Sequence, residues 1–266
     1  MAEFRPQECL PTDRTWIPVT NGESGARVFN SADGSLHAKC VPAEAASDLA
    51  AERDRTRWLA AQGLPGAEPV DWSIREVGAC LVTTTVPGVP ASELTPSALL
   101  EALPSLVMTV RRLHDLPVDT CPFDRRLAGM FRRASEVVAA GRVIEAWLRP
   151  EQQGRPHPAL LSELRTELPG RLEQEATDLV VCHGDACLPN FLVDPASSTC
   201  TGLIDLGRLG TADRQADLAL VWASASDHLA APEVATAARI LTDTYGRDSV
   251  DAARLRFYLY LDPLTW

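Results

Sequence analysis

Leu179-Val180-Val181-Cys182-His183-Gly184-Asp185-Ala186-Cys187-Leu188-Pro189-Asn190-Phe191-Leu192-Val193-Asp194, continued by Leu203-Ile204-Asp205-Leu206-Gly207-Arg208, decides how this chain reads. Short apolar runs alternate with polar loops, as expected of buried strands ending in functional turns. His183-Gly184-Asp185 leaves the first run, Asn190 leads into the second, and Asp205 leaves the third. Two carboxylates and a carboxamide at the ends of neighbouring strands suit one base and a divalent cation held by oxygen ligands. Any one of these residues alone also reads as a turn or capping residue, because Asp and Asn favour such positions. The assembled set is what points to chemistry.

His183-Gly184-Asp185 with Asn190, then Ile204-Asp205, resembles the catalytic and metal-binding signature of aminoglycoside phosphotransferases. The flank Gly207-Arg208-Leu209-Gly210-Thr211-Ala212-Asp213-Arg214, then Asp217-Leu218-Ala219, matches as well. The resemblance spans nearly the whole chain. It implies an α+β, protein-kinase-like bilobal fold: a small N-terminal antiparallel five-stranded β lobe with one helix, over 1–87, which binds nucleotide, and a larger, mainly helical C-terminal lobe, over 88–266, which binds substrate and carries the catalytic loop. Asn21-Gly22-Glu23-Ser24-Gly25, Pro87-Gly88-Val89-Pro90, Thr201-Gly202-Leu203-Ile204-Asp205-Leu206-Gly207-Arg208 and Leu261-Asp262-Pro263-Leu264-Thr265-Trp266 look most like the streptomycin 3''-phosphotransferase branch.

The bulk properties agree with such an enzyme. At 266 residues, 45% hydrophobic and 23% charged, the chain has enough length and apolar content for a large core or two lobes. A formal net charge of -11 disfavours nucleic acid and favours cationic partners, although acidity also aids solubility. The seven cysteines are odd in number and contain no Cys-x-x-Cys pair, which argues for reduced thiols rather than a disulfide framework or a zinc site. The start of the chain lacks the apolar run of a signal peptide, and no stretch is long enough to span a bilayer, so a cytoplasmic protein without membrane contact is expected.

Of the 25 lysines and arginines, only Lys39 is a lysine. In a chain that otherwise uses arginine, a lone ammonium suggests a task unsuited to a planar guanidinium. Strand patterns at 15–19, 27–29 and 36–40 place Lys39 on a third antiparallel strand. A Gly/Ser turn at 21–25 separates the first two and could lay backbone N–H groups over phosphates, or be an ordinary hairpin. A helix is expected over 43–62, then strands over 67–74 and 79–86, then a hinge at Pro87-Gly88. Helices follow over 97–113, 123–140 and 160–175, and after the central stretch over 213–225, 232–245 and 250–261, with 141–157 irregular.

The resemblance assigns roles to this framework. Ser24 lies in the nucleotide loop, Lys39 contacts the α- and β-phosphates, Glu52 fixes the lysine, and Thr84 to Val86 meet adenine through their backbone. Asp185 is the base that takes the proton of the acceptor hydroxyl, while Asn190 and Asp205 hold Mg²⁺ against ATP. His183 supports the loop, Asp217 braces it, and His114 reads as a helix-end residue. Asp262 and Trp266, with the terminal carboxylate, are candidate ligands for a cationic aminoglycoside, the alternative being a frayed end. A monomer with a small-molecule substrate is expected. Three other readings stay open: a kinase of the same fold acting on choline, homoserine or a sugar; a nonenzymatic nucleotide-binding protein; and a metal-dependent hydrolase using His183, Asp185 and Asp205, which lacks a second histidine at ligand spacing.

Overall fold

A computed structural model describes residues 4–19 and 26–266. By packing, the chain divides into two units. The first is Met1–Gly88 with Thr201–Gly207; the second is Val89–Cys200 with Arg208–Trp266. The packing boundary falls at Gly88/Val89, beside the sequence division at 87/88, and the first unit also takes in 201–207. That segment joins the first unit through main-chain bonding: Leu203 N donates to Pro65 O at 3.1 Å, and the Thr201 hydroxyl donates to Pro87 O.

In the first unit, strands β1 (Trp16–Val19), β2 (Arg27–Ser31) and β3 (Leu36–Pro42) are followed by helix α1 (Ala46–Ala61), then by β4 (Pro69–Arg75) and β5 (Gly78–Thr84). The five strands form one antiparallel sheet in the order β1-β2-β3-β5-β4. Side chains alternate across it. Phe29, Ala38, Cys40, Cys80 and Val82 pack on one face with Cys9 and Leu10, and Val41, Ala79 and Leu81 pack on the other with Leu49 of α1. Lys39 stands opposite Leu81 in the register and so faces α1. The expected helix start at 43 is a short 3₁₀ turn, Ala43–Ala45, before α1 proper. The expected strand over 79–86 ends at Thr84, short of the hinge.

The second unit begins with the two-residue strand β6 (Val89–Pro90), then α2 (Pro96–His114), α3 (Leu127–Ala139), α4 (His157–Asp178) and β7 (Leu179–Cys182). Strands β8 (Phe191–Asp194), β9 (Thr199–Leu203) and β10 (Gly210–Asp213) precede α5 (Arg214–His228), α6 (Ala231–Tyr245) and α7 (Ala252–Leu261). β10 pairs antiparallel with β7, and β6 with β8. Thr95 caps α2, Asp213 caps α5 and Asp251 caps α7, each accepting from an N-terminal amide of its helix. The core of this unit gathers Leu127, Met130 and Phe131 of α3, Leu160 and Leu164 of α4, and Phe257, Tyr258 and Leu261 of α7. The final 3₁₀ turn, Asp262–Thr265, is buried against it, so the chain end is packed rather than frayed. Among the described residues no helix is long and apolar enough to cross a membrane.

Candidate active site

In the first unit the expected lysine pair is formed. Lys39 Nζ lies 2.7 Å from Glu52 Oε2 and 3.2 Å from Asp205 Oδ1. The side chains of Lys39 and Glu52 are 21% and 13% exposed, whereas that of Asp205 is 44% exposed. The lysine is thus tethered on its covered side by Glu52 and meets Asp205 on its open side. Burial alone would lower the Lys39 pKa, but the two carboxylates outweigh it and raise the value, so the ammonium stays charged. Asp205 adopts a left-handed backbone with φ 58°. Asp tolerates that region better than most residues, and strain of this kind gathers where a side chain must be aimed.

The remaining nucleotide candidates are placed unevenly. Ser24 lies outside the described residues, as does the rest of the 21–25 turn. Thr84 ends β5, and both its N–H, donating to Glu68 O, and its hydroxyl, accepting from Glu68 N, are engaged at 2.9 Å. Its main-chain hydrogen-bonding capacity toward a base therefore rests on its carbonyl. Val86 lies beyond the strand and is buried.

In the second unit the loop after β7 is held by a buried carboxylate. Asp217, wholly inaccessible on α5, accepts from His183 N at 2.6 Å and Gly184 N at 2.9 Å. His114, the last residue of α2, approaches the same carboxylate through Nε2 at 3.2 Å and Tyr245 Oη through Nδ1 at 2.6 Å. Burial would raise the Asp217 pKa. The bond and charge of His114, His183 and the Gly184 amide outweigh that, and the carboxyl is held below its usual range. The bracing role expected of Asp217 is therefore visible in its bonds, and His114 is a helix-end residue that bonds the brace.

Gly184 carries φ 79°, and a Cβ there would lie 2.2 Å from Arg208 O, so only glycine lets these backbones approach. His183 is buried, stacks on Phe191, and accepts from Asp185 N through Nδ1 at 3.2 Å. This is the support role expected of it. Asp185 is half-buried. Asn190 Nδ2 donates to Asp185 O at 2.8 Å and to Asp185 Oδ2 at 3.0 Å. That pairing fixes the amide's orientation and turns its oxygen away from Asp185. The amide oxygen of Asn190 in the second unit and the open carboxylate of Asp205 in the first are each, taken separately, hard donors of the kind magnesium takes.

Among the described residues, His114, Cys182 and Asp217 are the one group of three with ligand atoms within 4.8 Å of one another. All three are buried and Asp217 is committed to loop amides, which makes this cluster part of the loop's support. It contains none of the hydrolase trio except by adjacency to His183, and His183 faces Asp185 N through its ring.

Asp262 and Trp266 are brought together at the chain end. Asp262 is 9% exposed, and its Oδ2 accepts from Trp266 Nε1 at 3.1 Å. Its Oδ1 accepts from Arg208 Nη1 at 3.3 Å, with Arg125 Nη2 at 3.7 Å. A carboxylate expected to await substrate cations is already shared between two arginines of the chain. Sequence reading quoted Arg208 only within a flank and gave Arg125 and Arg254 no role. Arg254 bridges Asp178 at 2.7 Å and Asp213, whose carboxylate also caps α5, and so ties the end of α4 to the start of α5. The capping position of Asp213 was readable from an Asp before an amphipathic run; its arginine partner was not.

The fold and these two clusters define a phosphotransferase of kinase-like architecture, and the chain belongs to the phosphotransferase enzyme family, whose match covers residues 15–258. Within it the chain is 50% identical to the streptomycin 3''-kinase of Streptomyces griseus, over 94% of this chain and 92% of that one. It is 41% identical to an aminoglycoside 3'-phosphotransferase of Streptomyces fradiae, over 93% of this chain and 94% of that one. Among solved structures it is similar to aminoglycoside phosphotransferase APH(3'')-Id of Streptomyces rimosus, with a TM-score of 0.90 and 48% identity, covering 96% of this chain and 94% of that one. The same protein has been solved in complex with ADP and streptomycin.

Proposed function

We propose that this protein transfers the terminal phosphoryl group of ATP to an aminoglycoside hydroxyl, the 3'' hydroxyl of streptomycin, and so inactivates the antibiotic. The observation that carries this reading is the 50% identity to a streptomycin 3''-kinase across 94% of the chain. The chemistry of the site agrees with it. Phosphoryl transfer asks the protein for alignment, charge neutralisation and a proton acceptor. Asp185 accepts a hydrogen bond from the acceptor hydroxyl and takes its proton as the new P–O bond forms. Lys39, oriented by Glu52, neutralises the nonreacting phosphates, and the Thr84 carbonyl and Val86 backbone meet adenine. Asn190 and Asp205 would hold Mg²⁺, which would supply charge neutralisation at the phosphate oxygens. Ser24 belongs to the phosphate loop, and Asp262 to the antibiotic end.

The net charge of -11 suits a polycationic acceptor. We read the protein as a cytoplasmic monomer, where ATP is abundant and its free cysteines stay reduced. A susceptibility test in a streptomycin-sensitive bacterium decides the matter. Wild type should confer resistance and Asp185→Ala should not. Equal susceptibility in both, with acceptor-dependent ADP release on choline, homoserine or a sugar, would replace the antibiotic with a metabolite.

A further inference from the structure

The last residues of the chain form a bracket around one half-buried cation. Arg208 Cζ sits over the Trp266 ring, 3.2 Å from its centroid. On its edge, Arg208 Nη1 donates to Asp262 Oδ1 at 3.3 Å and to Thr265 Oγ1 at 3.1 Å, and Nη2 donates to Thr265 O at 3.4 Å. The bracket is itself fixed: Trp266 Nε1 donates to Asp262 Oδ2, and Trp147 packs edge-on against Trp266 at 5.4 Å. Arg208 needs such holding. Burial pulls its pKa down to about 10, with Arg125 and Arg133 repelling it, and Asp262 and Asp185 attract it. At neutral pH it is still a cation, crowded by two others and balanced by few anions.

The other end of Arg208 backs the catalytic loop. Its carbonyl oxygen and Cβ would lie 2.2 and 2.9 Å from a Cβ at Gly184, the residue before Asp185. A shift of Arg208 is therefore felt directly by the backbone that presents Asp185. We infer that Trp266 is a positioning residue for catalysis: through the face of its indole it holds Arg208, and Arg208 in turn holds the Gly184-Asp185 segment and keeps a positive charge near the base. The role differs from that of an antibiotic contact. A contact acts on acceptor affinity, whereas this bracket acts on turnover. The inference rests on the reading of Asp185 as the base.

The test is a kinetic cycle on the full-length protein with ATP, Mg²⁺ and streptomycin. Trp266→Leu keeps apolar bulk but removes the π face. It should lower kcat about tenfold, the scale of one partly desolvated cation–π contact, and leave both KM values within about twofold. Trp266→Phe keeps an aromatic face and should stay within about threefold of wild type. Arg208→Lys loses the planar guanidinium over the ring, and combining it with Trp266→Leu should cost no more than the larger single loss. An unchanged kcat with a raised streptomycin KM would make Trp266 a substrate contact and overturn the inference. Equal kcat losses in the Phe and Leu variants, or additive losses in the double variant, would overturn it too. If Trp266→Leu fails to fold, the cycle is run with Trp266→Phe and Arg208→Lys, where additivity again decides against coupling. Wild-type turnover is measured first. Its absence with streptomycin sinks the substrate assignment, and the variant ratios are then read with whichever acceptor wild type phosphorylates.

Discussion

The two units hold their key side chains by opposite means. In the first, Lys39 is set by charge against charge: Glu52 on its covered side and Asp205 on its open side. In the second, Asp185 is set by main chain: two loop amides bond to Asp217, Asn190 bonds back to the Asp185 carbonyl, and Gly184 lets Arg208 pass underneath. Side-chain ion pairs near solvent can rearrange around a nucleotide, because long chains and water absorb the change. A backbone anchored to a buried carboxylate cannot yield without leaving polar groups unpaired. The first arrangement suits a group that must follow a triphosphate. The second suits the role proposed for Asp185, a base that must not move.

The contrast can be broken most forcefully at Asp185. Asp185→Asn is nearly isosteric and should lower the phosphoryl-transfer rate about 10³-fold, while thermal unfolding stays close to wild type. Rapid-quench kinetics beside a melting curve would check both halves of that statement. Next in size is Gly184→Ala, whose added carbon collides with the Arg208 carbonyl at a positive φ. We expect about 3 kcal/mol of lost stability in urea unfolding, together with weak turnover. Little change would mean that the loop is softer than its bonding implies.

Lys39→Met sharpens the other side of the comparison. It should weaken productive nucleotide binding by roughly ten- to a hundredfold, seen as a raised KM for ATP and a lowered kcat. Stability should fall as well, because the covered Glu52 carboxylate loses its ammonium while Asp205 is open to solvent. Unchanged nucleotide affinity and turnover would exclude the proposed role of Lys39.

The smallest effect is a pH dependence. The Asp217 pKa is lowered on folding, so the unfolded chain takes up that proton first as pH falls. Its contribution is complete above the ordinary carboxylate value of about 4 and is lost as pH drops through the lower folded value. Asp217→Asn should therefore flatten the acid limb of the stability curve, measured by denaturant unfolding between neutral and acid pH. An acid limb identical to that of wild type would show that other carboxylates set it.

Much of this was legible in the sequence because the signals were local. The lysine was the only one in the chain, strand patterning put it on the third strand, and the resemblance paired it with Glu52. The His183 to Asn190 spacing carried the loop, and the resemblance carried the brace at Asp217. What escaped was held by distant partners. Gly210-Thr211-Ala212-Asp213 has no strand-like alternation, yet it forms β10 because β7 pairs with it. The segment 201–207 reads as part of the second lobe along the chain but bonds to Pro65 and Pro87. Asp262 reads as a free carboxylate at a chain end until Arg208 and Arg125 are seen beside it. Arginines that pair across the fold carry no periodic signal, so a chain rich in them hides its tertiary ion pairs.

The most direct measurement is the structure of the product. Purified protein is incubated with ATP, Mg²⁺ and streptomycin, and the antibiotic is recovered and mapped by phosphorus and proton NMR. The account predicts one phosphoryl group on the 3'' hydroxyl of streptomycin, formed in step with ADP. Streptomycin recovered unmodified while ADP release depends on another acceptor, or a phosphoryl group on a different hydroxyl, would contradict it.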